Sequence, residues 1–183
     1  LVAMIFVNQY GFPFFELLKH VKDLNSPSGR MEVISYKDNQ IIIDYAHTPD
    51  AIEKILKTVK EFSLGKIYTI FGCTGERDRK KRPIMMNLVT NLSDKVIVTN
   101  DDPHFESPTQ IVSDMVDGIT KKNYEICLDR KKAIAKGISW LKEKDTLLIL
   151  GKGHEEFIVI ENKKIKHNDK EEVLKIISSH QKI

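Results

Sequence analysis

The chain predicts an α/β fold: a mostly parallel sheet with helices on both faces and an antiparallel hairpin near the C-terminus. Three observations carry this expectation. Aliphatic runs at Ile41–Tyr45, Lys66–Phe71, Lys95–Thr99 and Thr146–Leu150 read as buried parallel strands, which are apolar throughout rather than alternating. Segments of helical length and periodicity separate these runs, and repeated β-α alternation favours right-handed crossovers between parallel strands. Each run then stops abruptly at a polar, charged or Gly-rich loop, the edge at which α/β sheets bind ligands.

In chain order, residues 1–24 read as a helix, a break near Gly11-Phe12-Pro13, and a second helix with Leu17, Leu18, Val21 and Leu24 on one face. Asn25-Ser26-Pro27-Ser28-Gly29 is a turn cluster and the best linker; it divides the chain into residues 1–27 and 28–183. Met31–Tyr36 and Ile41–Tyr45 flank Lys37-Asp38-Asn39-Gln40, which has the length and polarity of a hairpin loop. Pro49–Phe62 is an amphipathic helix presenting Ala51, Ile55, Val59 and Phe62. Pro83–Leu92 is a helix with proline in its first turn, and Ser107-Pro108 opens another that runs to about Gly118. Tyr124–Leu128 is a short strand and Arg130–Lys142 a helix carrying Ala133, Ile134, Ile138 and Leu141. Phe157–Glu161 and Lys164–His167 form the closing hairpin around Asn162-Lys163, before a last helix over Lys170–Ser178. The whole is a Rossmann-like arrangement.

Bulk properties narrow the function. The 183 residues are 41% hydrophobic and 30% charged, ordinary values for a globular domain with a real core. The net charge of +3 comes largely from lysines scattered along helical stretches, a solvated surface rather than a nucleic-acid patch. No apolar run approaches the roughly 20 residues that span a bilayer. Cys73 and Cys127 lack metal-ligand spacing and read as buried free thiols, which suits a reducing, cytoplasmic compartment. The apolar first residues lack a signal peptide's basic start and cleavage site. Leu1 is not a natural start, so a longer parent is expected.

The loops after the strands are where chemistry is expected. Asp44 and His47 stand in Ile-Asp-Tyr-Ala-His-Thr-Pro, where hydrogen bonding or stacking against a ligand is more economical than catalysis, because no activated nucleophile accompanies them. The charge run Glu76–Arg82 reads as a solvated loop, in which Arg77, two residues after Gly75, is best placed to clamp a carboxylate. Asp101-Asp102-Pro103 puts two carboxylates at a strand end: a metal site, a site for a substrate amino group, or simply an acidic turn. Gly151-Lys152-Gly153-His154-Glu155 offers close backbone approach and amides suited to an anion, or is a tight turn. Neither a P-loop nor a dinucleotide-type Gly-x-Gly-x-x-Gly is present.

Taken together and in order, Ser-Gly-Arg30-Met-Glu, Ile-Asp44-Tyr-Ala-His47-Thr-Pro, Gly72-Cys-Thr-Gly-Glu-Arg77-Asp-Arg-Lys-Lys-Arg-Pro, Asp101-Asp-Pro-His104 and Gly151-Lys-Gly-His-Glu155 resemble the Mur ligase family. The match is to the C-terminal domain of its MurE type, over residues 28–180, while residues 1–27 resemble the last helices of the preceding central domain. This resemblance implies an ATP-dependent ligase of peptidoglycan synthesis that forms an amide through an acyl-phosphate. Its substrates would be UDP-MurNAc-L-Ala-D-Glu and a diamino acid. Arg30, Asp44 and His47 match positions that contact the nucleotide. Arg77, Asp101, Asp102, Pro103, His104, Gly151 and Glu155 match the amino-acid pocket. ATP and Mg2+ would be held mainly by the central domain of the same polypeptide, which supplies the P-loop, the magnesium ligands and a carbamylated lysine. The chain alone is therefore expected to be inactive, with no catalytic or metal-binding residue of its own.

One departure bears on specificity. Diaminopimelate-adding members of the family carry Asp-Asn-Pro-Arg where this chain has Asp101-Asp102-Pro103-His104. Histidine cannot reproduce arginine's fork, and aspartate adds negative charge, so lysine or ornithine is expected over diaminopimelate. The alternatives are another Mur or folylpolyglutamate synthetase superfamily ligase, or a non-catalytic nucleotide- or amino-acid-binding module.

Overall fold

The structure, a computed structural model, describes residues 2–21 and 27–180. Helices α1 (Val2–Gln9) and α2 (Phe14–Lys19) come first and touch each other. The break at Gly11-Phe12-Pro13 separates them as expected, but α2 stops at Lys19 and buries no residue. Leu18 and Val21 of its expected apolar face are exposed. Leu24, Asn25 and Ser26, where the end of that helix and the start of the linker were expected, lie outside the described residues.

The remainder is a six-stranded sheet in the order β1-β2-β6-β3-β4-β5. Its strands are β1 (Glu32–Tyr36), β2 (Asn39–Asp44), β3 (Ile67–Phe71), β4 (Lys95–Val98), β5 (Tyr124–Ile126) and β6 (Thr146–Leu150). All neighbours pair in parallel except β1 and β2, an antiparallel edge hairpin. Its turn is Lys37-Asp38 alone, because Asn39 already pairs with Tyr36. Asn39 is buried, and its Oδ1 accepts from the Asp145 amide at 2.9 Å.

Successive residues of a strand face opposite sides of the sheet, so continuous aliphatic strands build two cores. On one side Leu148 and Leu150 meet α3 (Pro49–Phe62), α4 (Lys81–Leu92) and α5 (Pro108–Val116). On the other, Leu147 and Ile149 meet α6 (Arg130–Trp140) and α7 (Asp169–His180). The buried stripe of α3 is Ile52, Ile55, Leu56 and Val59, an i, i+3, i+4, i+7 set. The expected stripe was rotated slightly from this: Ala51 packs only at its margin, and Phe62 is exposed.

The helix starts follow their caps. Thr48 Oγ1 accepts the Ala51 amide at 3.3 Å ahead of Pro49, and Asp129 accepts the Lys132 amide ahead of α6. Ser107 stands at the cap of α5, but its hydroxyl pairs with Thr109 instead. Pro83 lies in the first turn of α4, which begins at Lys81. A separate antiparallel hairpin, β7 (Phe157–Ile160) and β8 (Lys163–Lys166), turns at Glu161-Asn162. Both cysteines are free, Cys73 buried and Cys127 only half-buried. No helix among the described residues is long and apolar enough to cross a membrane.

Leu148 sits fully buried in the central strand, where truncation leaves a cavity that flanking strands cannot collapse to fill. Leu148→Ala should destabilise the chain by about 3 kcal/mol. Urea unfolding checks this as a lower midpoint at an unchanged slope.

Candidate functional site

Because β2, β6, β3 and β4 are consecutive neighbours in the sheet, the loops leaving their carboxyl ends share one rim. They enclose a cavity of about 590 Å³. Arg77, Asp101, Asp102, His104, Gly151 and Glu155 all line it, as does His47. Pro103 does not; it is buried behind the rim, with its carbonyl against Gly75 and accepting the Glu106 amide.

Part of the cavity lining is an acidic cluster. Carboxylate oxygens of Asp101, Asp102 and Glu155 lie within 4.8 Å of one another. The fully buried Lys152 ammonium sits behind them, 2.8 Å from Asp102 Oδ1 and 2.6 Å from Glu155 Oε2. Burial opposes the charge on Lys152, but the carboxylates outweigh it and hold its pKa above the ordinary lysine value. Burial pushes the Asp101 carboxyl up, against the pull of Arg130 and Lys152. The Tyr45 hydroxyl donates to the second oxygen of Glu155 at 3.2 Å. Gly151 is obligatory here: its φ is +107°, and a Cβ would stand 2.4 Å from Asp101 Oδ2.

The lining also carries cations, with Asp78 among them. Arg77 and Lys81 line the cavity wall, and neither side chain has an ionic or hydrogen-bonding partner among the described residues. The loop that carries Arg77 is fixed by its neighbours. Arg82 is 1% exposed, makes a two-pronged contact to Glu106 at 2.6 Å, and reaches Asp114 at 2.7 Å. Glu106 in turn accepts the Glu76 amide at 3.0 Å. Bonding to Arg82 lowers the Glu106 carboxyl to about 2. The charge run is therefore only partly the solvated loop expected of it: Arg82 is an internal strut. His104 adopts a φ of +51° because the closing hairpin grips its backbone. Its amide donates to the Val159 carbonyl, and its own carbonyl accepts the Glu161 amide.

Beside the cavity lies a ring cluster. The Arg30 guanidinium stacks 4.8 Å from the Tyr45 ring centroid, and His47 and His154 meet the same ring at 4.7 Å and 5.3 Å. Gly29 permits this, since a Cβ there would strike the His154 amide at 2.1 Å. Asp44 is spent internally: its two oxygens accept the Met31 and Ala46 amides, each at 2.8 Å. Cys73 also lines the cavity, but burial raises its thiol pKa far above neutrality, so it is no nucleophile.

Beneath the rim, Arg130 ties the loops together. Its guanidinium makes two bonds to Asp169, at 2.8 Å and 2.7 Å. It also donates to the carbonyl oxygens of Asn100 at 3.2 Å and Leu150 at 2.9 Å. These carbonyls immediately precede Asp101 and Gly151. His167 completes the group, 2.7 Å from Asp169. Sequence reasoning did not single out Lys152, Arg130, Asp169 or Tyr45. A lysine between two glycines was the one local signal; nothing in the sequence joins Arg130 to an aspartate 39 residues away.

The arrangement suits a small molecule that carries both carboxylate and ammonium groups. The family pattern for the Mur ligase, glutamate ligase domain, matches residues 29–153, and the chain belongs to that family. It is 47% identical over 156 residues to the UDP-N-acetylmuramoyl-L-alanyl-D-glutamate--2,6-diaminopimelate ligase of Bacillus cereus, covering 85% of this chain and 32% of that protein. The ligase of the same name from Clostridium botulinum is 41% identical over 167 residues, covering 90% and 34%. The chain thus spans about a third of the length of these relatives. A solved structure of a ligase of that name superposes with a TM-score of 0.82 at 36% identity, over 98% of this chain and 37% of that one. A Thermotoga maritima MurF ligase in complex with ADP shares the fold at 19% identity and a TM-score of 0.62, over 98% of this chain and 37% of that one.

Asp169→Asn should cost about 3–5 kcal/mol, because it leaves the buried Arg130 charge uncompensated. Burial alone would raise the Asp169 pKa, but Arg130 and His167 outweigh it and hold the carboxyl below the usual range. Its contribution is therefore complete above the unfolded value of about 3.9 and is lost as pH falls toward the folded value. Thermal melts from pH 7 to pH 3 check both points: the gap between parent and variant should be large at pH 7 and narrow as the pH approaches 3.

Proposed function

We propose that this chain is the amino-acid-binding, C-terminal part of an ATP-dependent ligase that adds a diamino acid to UDP-MurNAc-L-Ala-D-Glu in peptidoglycan synthesis. The observation that carries this reading is the mixed lining of the cavity, which joins Arg77, without a partner among the described residues, to the clustered carboxylates of Asp101, Asp102 and Glu155. A guanidinium fits a carboxylate bidentately, and a carboxylate cluster fits an ammonium.

In the proposed reaction, a carboxylate oxygen of the dipeptide's D-glutamate attacks the γ-phosphorus of ATP. The P–O bond to ADP breaks and an acyl-phosphate forms. The neutral amine of the diamino acid attacks the acyl carbon, the C–O bond to phosphate breaks, and the amine loses a proton. The cavity's part is to bind the α-carboxylate and the distal ammonium so that the reacting amine points out of the rim. Magnesium, held by the preceding central domain, would neutralise charge on the transferring phosphoryl group. Arg30, Asp44 and His47 are assigned to the nucleotide side; the Arg30–Tyr45–His47 stack lies at the same rim, and Asp44 shapes the turn beneath it. Helices α1 and α2 are assigned to that central domain. The exposed Phe6 and Phe15 of these helices, with Tyr10 and Phe12 between them, fit burial against more of the parent protein.

The expectation of lysine or ornithine gains no support. The relatives are named for 2,6-diaminopimelate, and Asp102 has part of its charge balanced from within. Its Oδ1 accepts both the Lys152 ammonium and the Val159 amide, each at 2.8 Å. Arg77 and Lys81 provide two cations on the cavity wall, enough for the two carboxylates of diaminopimelate. That amino acid is therefore the proposed substrate.

The test is ATP-dependent phosphate release by the full-length parent with UDP-MurNAc-L-Ala-D-Glu and each of diaminopimelate, lysine and ornithine. Turnover with diaminopimelate, at a kcat/KM at least tenfold above the other two, is expected. Preference for lysine would overturn the substrate assignment, and no turnover with any would overturn the ligase reading.

A further inference from the structure

Lys152 has no exposed side-chain surface and does not line the cavity, so it cannot touch a ligand. Yet its ammonium contacts two of the three cavity carboxylates directly and lies in the field of the third, Asp101. Lysine is a flexible point charge that seldom gives up water. Here it does so at the one place among the described residues where three carboxylates converge.

The contacts divide the carboxylates into held and offered atoms. Glu155 is gripped from both sides, with Oε2 on Lys152 and Oε1 on the Tyr45 hydroxyl. Asp102 is held through Oδ1 alone, by Lys152 and the Val159 amide. Asp101 is fixed through Oδ1 by the Asp102 amide at 2.8 Å. Each side chain is thereby locked in one orientation while still lining the cavity. Three carboxylates packed this closely repel one another. One internal cation removes part of that repulsion and leaves a net negative pocket for a second cation from outside.

Building on the ligase reading above, we infer that Lys152 is a positioning residue that presents Glu155 and Asp102 to the substrate's second ammonium. It thereby sets the preference for diamino over monoamino acids. Without it, Glu155 and Asp102 lose the charge that orients them, and recognition of the second ammonium fails. Arg77 and the Arg82–Glu106 strut share no hydrogen bond or ion pair with Lys152 among the described residues and stay intact. The loss is therefore selective.

The experiment compares the full-length parent with its Lys152→Met and Lys152→Gln variants. Each is assayed with the diamino acid that it turns over and with the analogue lacking only the second amine, 2-aminopimelate for diaminopimelate. KM, or Ki where the analogue is not turned over, is measured for both. Lys152→Met should raise KM for the diamino acid at least tenfold and keep kcat within threefold. The analogue's constant should change less than threefold. Lys152→Gln keeps N–H donors without the charge, on a side chain one atom shorter; it should show the same selectivity loss at smaller size, and it carries the test if the methionine variant does not fold. A folded variant with undiminished discrimination, or one that weakens both compounds alike, would overturn the inference. Absence of turnover by the unsubstituted parent would instead overturn the ligase reading, and this inference with it.

Discussion

The geometry of the rim depends on one buried guanidinium. Strand ends in an α/β sheet are free to splay once their ladders stop, and the residues that follow carry the chemistry. Arg130 prevents that splaying by bonding the Leu150 carbonyl that ends β6 and the Asn100 carbonyl two residues past β4, while Asp169 neutralises it. A buried cation is tolerated only when paired and fully bonded. The pairing here joins the start of α6, the start of α7 and the ends of β4 and β6. The acidic loop and the glycine loop are therefore held in register by the core, and the cavity is preformed.

On this base the cavity is built as two electrostatic halves, each stiffened from behind. The cationic half rests on Arg82, which is buried and shared between Glu106 and Asp114, so that the loop bearing Arg77 is fixed through the Glu76 amide. The anionic half rests on Lys152. Arg82 also reaches the cavity lining, whereas Lys152 stays behind it. The hairpin β7–β8 adds a third support: it clasps the backbone of His104 and takes Asp102 as an acceptor for the Val159 amide. On the proposed ligase reading such preorganisation matters, because the attacking amine must meet a reactive acyl group before water does.

Much of this was legible in the sequence. The four aliphatic runs gave the parallel strands, since buried parallel strands have no polar face to disguise them. Their abrupt ends placed Arg77, Asp101, Asp102, His104, Gly151 and Glu155 on one rim, where all six line the cavity. Errors fell where context overrides local pattern. The Lys37–Gln40 loop shrank to two residues because Asn39 is drawn into the core by Asp145. Arg82 looked like one more solvated charge, and only the fold supplies Glu106 and Asp114 as partners. The negative charge of Asp102 seemed free to select against a second carboxylate, yet Lys152 balances it from within. The supports behind the site escaped notice for one physical reason: their partners are distant in sequence, and periodicity reports only local neighbours.

The central claim is that the rim cavity holds the amino acid with its carboxylate at Arg77 and its second ammonium at the acidic cluster. The most direct measurement is a crystal structure of the full-length parent with diaminopimelate bound. The account predicts a carboxylate paired with Arg77 and an ammonium about 2.7–2.9 Å from a carboxylate oxygen of Glu155 or Asp102. An amino acid bound elsewhere, or one whose carboxylate faces the acidic end, would contradict it.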